Sequence, residues 1–225
     1  CVDKARTVIH ARSMLSARDQ QTLLPTTGRR TPPKQFAPVS YIGLFEDAEV
    51  SIGCFIIRPG KRIPLHNHPG MFGIIKCLIG EVDVNTYSMI RHPQTLDVEI
   101  PPSLLLTKRH EIEQGYVFPV ERHPKVLVTK DSDCCCLFPD EGNFHELVAR
   151  PNEPVAFLDI LSPPYNPDGE YGGEHRDCDF FVDLSPPPAS NQDDRSPSRT
   201  WLQVVDSPDE YFCDTDVYQG PELKL

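Results

Sequence analysis

The stretch Gly60-Lys-Arg-Ile-Pro-Leu-His66-Asn-His68-Pro69-Gly70 decides how the rest of the chain is read. Side chains alternate faces along a strand, so His66 and His68, two apart, project from one face. Two imidazoles on one face of a rigid strand can bind one metal ion. A His-x-His pair alone carries little weight, because hydrogen-bonded or solvated pairs share the pattern. Its meaning depends on the surrounding chain.

That chain is rich in short β segments. Runs suited to strands recur at 40–45, 50–58, 71–79, 81–88, 125–130, 134–138, 144–148, 155–161, 180–184 and 201–205, bounded by turn residues. Gly80 separates two of them tightly enough for a hairpin. Residues 2–24 differ: they lack Gly and Pro and read as a helix with Val8, Ile9, Leu15 and Leu24 among its apolar positions. Residues 89–124 read as a loop, and 185–200 (SPPPASNQDDRSPSRT) as a low-complexity, mobile linker. The organisation expected is an N-terminal helical segment over 1–35 and one β domain over 36–225, a sandwich or small barrel.

Composition agrees. Of 225 residues, 24 are Pro, and 39% are hydrophobic. The apolar share supports a real core, and the Pro excess opposes an all-helical fold. With 22 Lys and Arg against 33 Asp and Glu, the net charge of -11 argues against nucleic-acid binding. No apolar run reaches the ~18 residues of a membrane helix, and no basic-then-apolar leader stands at the start. The eight cysteines invite a disulfide reading. The adjacent Cys134-Cys135-Cys136 and the absence of a leader or an N-x-S/T sequon favour reduced thiols instead. Cys54, Cys77 and the 134–136 run read as small strand residues.

Gly60, His66, His68 and Gly80 together resemble the first motif of the cupin superfamily, G-x5-H-x-H-x3,4-E-x6-G. The glutamate position holds Gly73. A third ligand then has to come from elsewhere, and Gly142-Asn-Phe-His145 fits the G-x2-H part of the second motif. Asp140 stands for that motif's Pro and Ala149 for its Asn. His10, His92, His110, His123 and His175 read as surface residues. Three neutral histidines suit Fe, Zn, Cu or Ni. Without a carboxylate, the cation keeps its full charge and favours an anionic donor such as a thiolate. That permits thiol dioxygenation, and a three-His zinc hydrolase satisfies the same count.

Further segments carry a closer resemblance. Leu65-His-Asn-His-Pro-Gly-Met71 resembles the H-D-H-P-G-M iron motif of the cysteamine dioxygenase and plant cysteine oxidase family. Ala156-Phe-Leu-Asp159-Ile-Leu-Ser-Pro163-Pro164-Tyr165 is similar to its F-L-D-[IV]-L-x-P-P-Y segment. Arg176-Asp177-Cys178 resembles its G-R-D/H-C. The ending (Trp201-Leu, Asp209–Cys213, Tyr218–Pro221) looks like the animal branch. The resemblance implies an all-β cupin barrel with one Fe(II) that uses O2 to oxidise a thiol to a sulfinic acid. The implied substrates are cysteamine and proteins with an N-terminal Cys, whose oxidation marks them for oxygen-dependent degradation. It assigns His66, His68 and His145 to iron, and Asp159 and Tyr165 to the substrate pocket. Its implied setting is a monomer in the cytoplasm or nucleus.

Asp159 interrupts an apolar strand, where a lone carboxylate is costly; a substrate amine, a backbone donor or an Arg would each relieve it. Tyr165 either donates a hydrogen bond near iron or packs. Asn67 replaces the family's Asp, with its side chain expected to point away from the metal. Phe180 replaces the Tyr of a C-x-Y segment, which precludes that segment's Cys–Tyr cross-link. An N-terminal Cys is the substrate signature of this family, but a sequence starting downstream of the native N-terminus is the simpler reading of Cys1. A Zn- or Mn-dependent cupin of other activity, or one without turnover, is the competing reading.

Overall fold

A computed structural model describes residues 36–90, 100–184 and 198–221. The expected helix over 2–24, together with Cys1, His10 and His92, lies outside these residues, as does most of the expected linker. The strands are β1 (Val39–Glu46), β2 (Ser51–Ile57), β3 (Arg62–His66), β4 (Phe72–Ile79), β5 (Glu81–Met89), β6 (Val117–Arg122), β7 (Val126–Thr129), β8 (Cys135–Leu137), β9 (Phe144–Ala149), β10 (Val155–Ser162), β11 (Phe180–Asp183), β12 (Ser198–Val205) and β13 (Cys213–Asp216). Two short helices, α1 (Pro102–Thr107) and α2 (Arg109–Glu113), lie between β5 and β6.

The strands form two facing sheets. One has the order β13-β1-β2-β10-β4-β8 and the other β6-β12-β11-β3-β9-β5-β7. β6 also pairs with β5, so six strands of the second sheet close on themselves. All pairings are antiparallel except β1 with β13. This is an all-β cupin barrel, as the motifs imply. Alternation places Ile57, Ile75, Val82, Leu147 and Phe157 between the sheets, all buried. Each such side chain contributes about 1.5–3 kcal/mol of transfer free energy.

Three expectations need correction. Gly80 does not close a hairpin: β4 and β5 belong to different sheets, and Gly80 is the corner between them. Its φ is +77, and a Cβ there would lie 2.2 Å from the Pro154 carbonyl oxygen, so only glycine fits. The expected loop over 89–124 contains α1, α2 and β6. Pro102 opens α1, where its missing N–H costs nothing, and Pro119 faces Trp201 within β6. The expected linker over 185–200 stops short of its end, because Ser198–Thr200 begin β12. Thr200 is buried and donates to Asp183 Oδ1 at 2.5 Å. Among the described residues no helix is long and apolar enough to cross a membrane. None of the seven described cysteines is in a disulfide; Cys54 and Cys77 are buried, whereas Cys134 and Cys136 are exposed.

Candidate metal centre

His66, His68 and His145 are brought together. Their ligand nitrogens lie within 4.8 Å of one another, and their ring centroids are 4.7–4.8 Å apart. All three are buried. His66 faces His145 across the β3–β9 ladder. His68 lies beyond the end of β3, so strand alternation does not aim it. A bulge and a turn do. Between the pairs Ile63–Leu147 and His66–His145, β3 spends one more residue than β9. Pro64 sits in that irregularity, where it owes the ladder no N–H. The bulge turns both Ile63 and His66 into the cavity. The following turn, with Gly70 at φ +68 and Met71 N–H donating to His68 O, swings His68 back beside them.

Backbone carbonyls fix two of the rings. His66 Nδ1–H donates to Pro64 O at 2.7 Å and His68 Nδ1–H to Asn143 O at 3.2 Å. Each leaves its Nε2 lone pair for the cavity. Asn143 braces His68 further: its Oδ1 accepts from His68 N–H at 3.0 Å, and its Nδ2 donates to His68 O at 2.6 Å. Burial lowers the imidazole pKa values, to about 4 for His66, about 3 for His68 and well below the usual value for His145. The three are therefore neutral donors at pH 7. Among the described residues no carboxylate joins them. A Cβ on Gly73 would lie 2.8 Å from Leu137 Cγ and 3.1 Å from Leu161 Cδ2, so leucines fill the place of the usual glutamate.

The histidines open on a cavity of about 140 Å³ between the sheets. Asp159 is on its wall, 9% exposed. No hydrogen bond or ion pair to its carboxylate is found among the described residues, and desolvation alone raises its pKa to about 7. Among the described residues, neither a backbone donor nor an Arg partners it. Tyr165 also lines the cavity, its ring 5.5 Å from that of His68. Its hydroxyl donates to Asn67 O at 2.6 Å and lies against the Cys178 thiol. Tyr165 thus ties down the peptide between the two histidines. Asn67 does point away: its amide donates to Asp179 Oδ2 at 3.3 Å and its Oδ1 accepts from Asp179 N–H at 2.9 Å. That clasp holds Cys178 and Phe180 against the site, with the Phe180 ring 6.5 Å from His66.

Sequence reasoning named Cys178 without a role and missed Tyr211, Phe55 and Asn143. Cys178 and Tyr211 line the cavity, and burial pushes the Cys178 thiol up to about 11. Only Asn143 left a usable trace, a buried amide two residues before a ligand-type His. Of the five histidines read as surface residues, His110 and His175 are exposed, and His123 Nε2 pairs with Ser88 Oγ at 2.6 Å.

A cupin whose barrel carries a three-histidine group able to hold a metal ion is the class that fold and site define. The chain belongs to the PCO_ADO family, whose model matches residues 6–223. It is 32% identical over 201 residues to human 2-aminoethanethiol dioxygenase, covering 85% of this chain and 70% of that one. It is 28% identical over 197 residues to plant cysteine oxidase 1 of Arabidopsis thaliana, covering 83% and 59%. Among solved structures, a double-stranded β-helix protein from Klebsiella pneumoniae aligns with TM-score 0.35 and 14% identity, over 64% of this chain and 85% of that one.

Proposed function

We propose that the protein is an Fe(II)- and O2-dependent thiol dioxygenase that converts an aminothiol, RSH + O2, to the sulfinic acid RSO2H. Its substrates are cysteamine, an N-terminal Cys of a protein, or both. The observation that carries this reading is the pairing, across one cavity, of three buried neutral imidazoles with an unpartnered carboxylate. The imidazoles fit Fe(II), since burial keeps them unprotonated and backbone carbonyls orient two of them. His66, His68 and His145 would hold it. Bound there, iron supplies the Lewis acidity that lowers the substrate thiol's pKa and the redox chemistry that activates O2.

The rest is done by the chain. Asp159 binds the substrate ammonium and so aims the thiol at the histidines. Phe55, Phe157 and Leu161 wall the cavity and exclude water. Tyr165 and the Asn67–Asp179 clasp fix the His66–His68 segment, so both act as positioning groups. The seven described cysteines, none in a disulfide, fit the reducing cytoplasm or nucleus.

Iron analysis combined with oxygen uptake tests this. Iron-loaded protein is expected to consume O2 with cysteamine and with a Cys-initiated peptide, each gaining two oxygen atoms by mass spectrometry, and not with the N-acetylated peptide. Absence of thiol-dependent uptake refutes it.

A further inference from the structure

A second cavity of about 320 Å³ adjoins the first and shares Phe55, Asp159, Leu161 and Tyr165 with it as walls. It opens between β1, β2 and β13 on one side and Pro164–Tyr165 on the other. Asp159 is therefore placed between the smaller histidine cavity and a roomier cleft. Cysteamine, whose amine and thiol are two carbons apart, needs only the first. A peptide that starts with Cys also needs room for its second and third residues, and only the cleft provides it.

Among the described residues the cleft's charges have one sign: Glu46 and Asp159 line it, and no Lys or Arg does. Tyr171 O–H donates to Glu46 Oε1 at 2.7 Å and leaves that carboxylate its charge. Asp47 and Glu170 stand near the same hydroxyl; with Glu46 they push Tyr171 up to about 12. The Tyr41 ring packs over Gly53 on the cleft floor, where a Cβ would lie 2.2 Å from it, so it presents an aromatic face to the same space. The acids alone would be a solvated rim. The second observation is Asp159, buried, without a partner and shared by both cavities.

Distance selects the positions. Asp159 faces Gly53 and Glu46 faces Ser51, with β2 between them. Their backbones are then two residues along β2 and two strand spacings apart, about 12 Å. An extended chain advances about 3.4 Å per residue, so the second and third residues of a peptide anchored at Asp159 bring their side chains up to Glu46.

Building on the thiol dioxygenase reading, we infer that the cleft holds the residues following an N-terminal Cys and selects peptides with Lys or Arg at the second or third position. The probes are the peptides Cys-Lys-Ala-Ala and Cys-Glu-Ala-Ala, with Ser-initiated, C-terminally fluorescent counterparts that bind without reacting. At low salt the Lys peptide is expected to exceed the Glu peptide about three- to tenfold in kcat/KM, and its Ser version to bind with a Kd about three- to tenfold lower. Glu46→Lys reverses the order in both measurements, and 0.5 M salt shrinks it in the wild type. Equal values for the two peptides, or an order unchanged in Glu46→Lys, overturn the inference. If no thiol is oxidised while the Ser peptides keep their preference, the reaction is wrong and the cleft stands. If thiols are oxidised without preference, the reaction stands and the cleft inference falls.

Discussion

Replacing Asp159 by Asn separates stability from function with one change of nearly constant shape. The Asp159 carboxyl has its pKa raised from 3.8 to about 7 by burial. Raising an acid's pKa on folding means that the folded state holds the proton more tightly than the unfolded chain does. Stability is then highest below pH 3.8 and is lost as pH rises from 3.8 to about 7. Above pH 7 the loss is complete and amounts to about 4 kcal/mol, from roughly three pKa units at 1.36 kcal/mol each. Asn carries no charge at any pH. It leaves about the same hydrogen-bonding deficit in the cavity as a protonated Asp, so that contribution cancels. The metal-free Asp159→Asn protein is therefore expected to be more stable than wild type by up to about 4 kcal/mol at pH 8. The gain falls below about 2 kcal/mol at pH 5. At about 2–4 °C per kcal/mol for a chain of this size, the pH 8 gain is a Tm rise of about 8–16 °C.

Urea unfolding of the metal-free proteins at pH 5 and pH 8 measures this directly. The same variant should lose turnover of aminothiols, because the ammonium has lost its partner. A variant no more stable than wild type, or a gain equal at both pH values, would falsify the claim that Asp159 is buried and unpaired. A stabilised variant with undiminished kcat/KM for cysteamine would remove Asp159 from the substrate site instead.

Other substitutions probe the remaining parts. His145→Ala is expected to lose bound iron and activity together, with an affinity loss beyond the ~10–100-fold typical for breaking an outer hydrogen bond to a ligand; metal retained at wild-type stoichiometry would make His145 a packing residue. Asn67→Asp sets two carboxylates against each other in place of the 3.3 Å amide contact with Asp179. It should cost about 1 kcal/mol in urea unfolding, and Asp179→Asn in the same chain should recover most of that loss. Gly73→Ala pushes a methyl group to 2.8 Å from Leu137 Cγ and should lower stability by about 1–3 kcal/mol in thermal unfolding.

The strand pattern was readable because alternating burial writes itself into sequence as alternating polarity. β5 shows this, with Val82 and Val84 buried and Glu81, Asp83 and Asn85 less buried. The three-histidine group was readable because metal chemistry restricts residue types. What escaped depends on distant partners. β6 carries a Pro and was hidden in a polar stretch; only its neighbours β12 and β5 make it a strand. Gly80 looks like a hairpin turn locally, and becomes a corner only because β10 and β9 claim the two strands it joins. Strand alternation placed His68 beside His66, but the bulge at Pro64 and the turn after Asn67 are what aim it there. The unpaired state of Asp159 could not be read at all, because it is a property of everything around that side chain.

Charge explains why this barrel dispenses with a carboxylate ligand yet keeps a costly carboxylate nearby. A divalent cation on three neutral imidazoles carries uncompensated charge in a low-dielectric cavity, and Asp159 carries the opposite charge a short way off. Each is expensive alone, because burial strips solvation that only a close partner restores. If Asp159 were itself a ligand, the two costs would cancel internally and nothing would be left for a substrate to relieve. Asp159 lies outside the three-histidine group, and Leu137 and Leu161 occupy the place of a ligating glutamate. On the proposed function, an aminothiol would relieve both at once, with its thiolate toward the cation and its ammonium toward Asp159. An N-acetylated thiol satisfies only the cation, and an amino alcohol, with no readily ionised group for the metal, only the carboxylate. Each leaves one buried charge unpaired, a situation that costs about 3–5 kcal/mol in protein interiors. Discrimination of this kind needs no tight steric fit around the thiol. The same pocket can therefore serve a molecule as small as cysteamine and the first residue of a long chain.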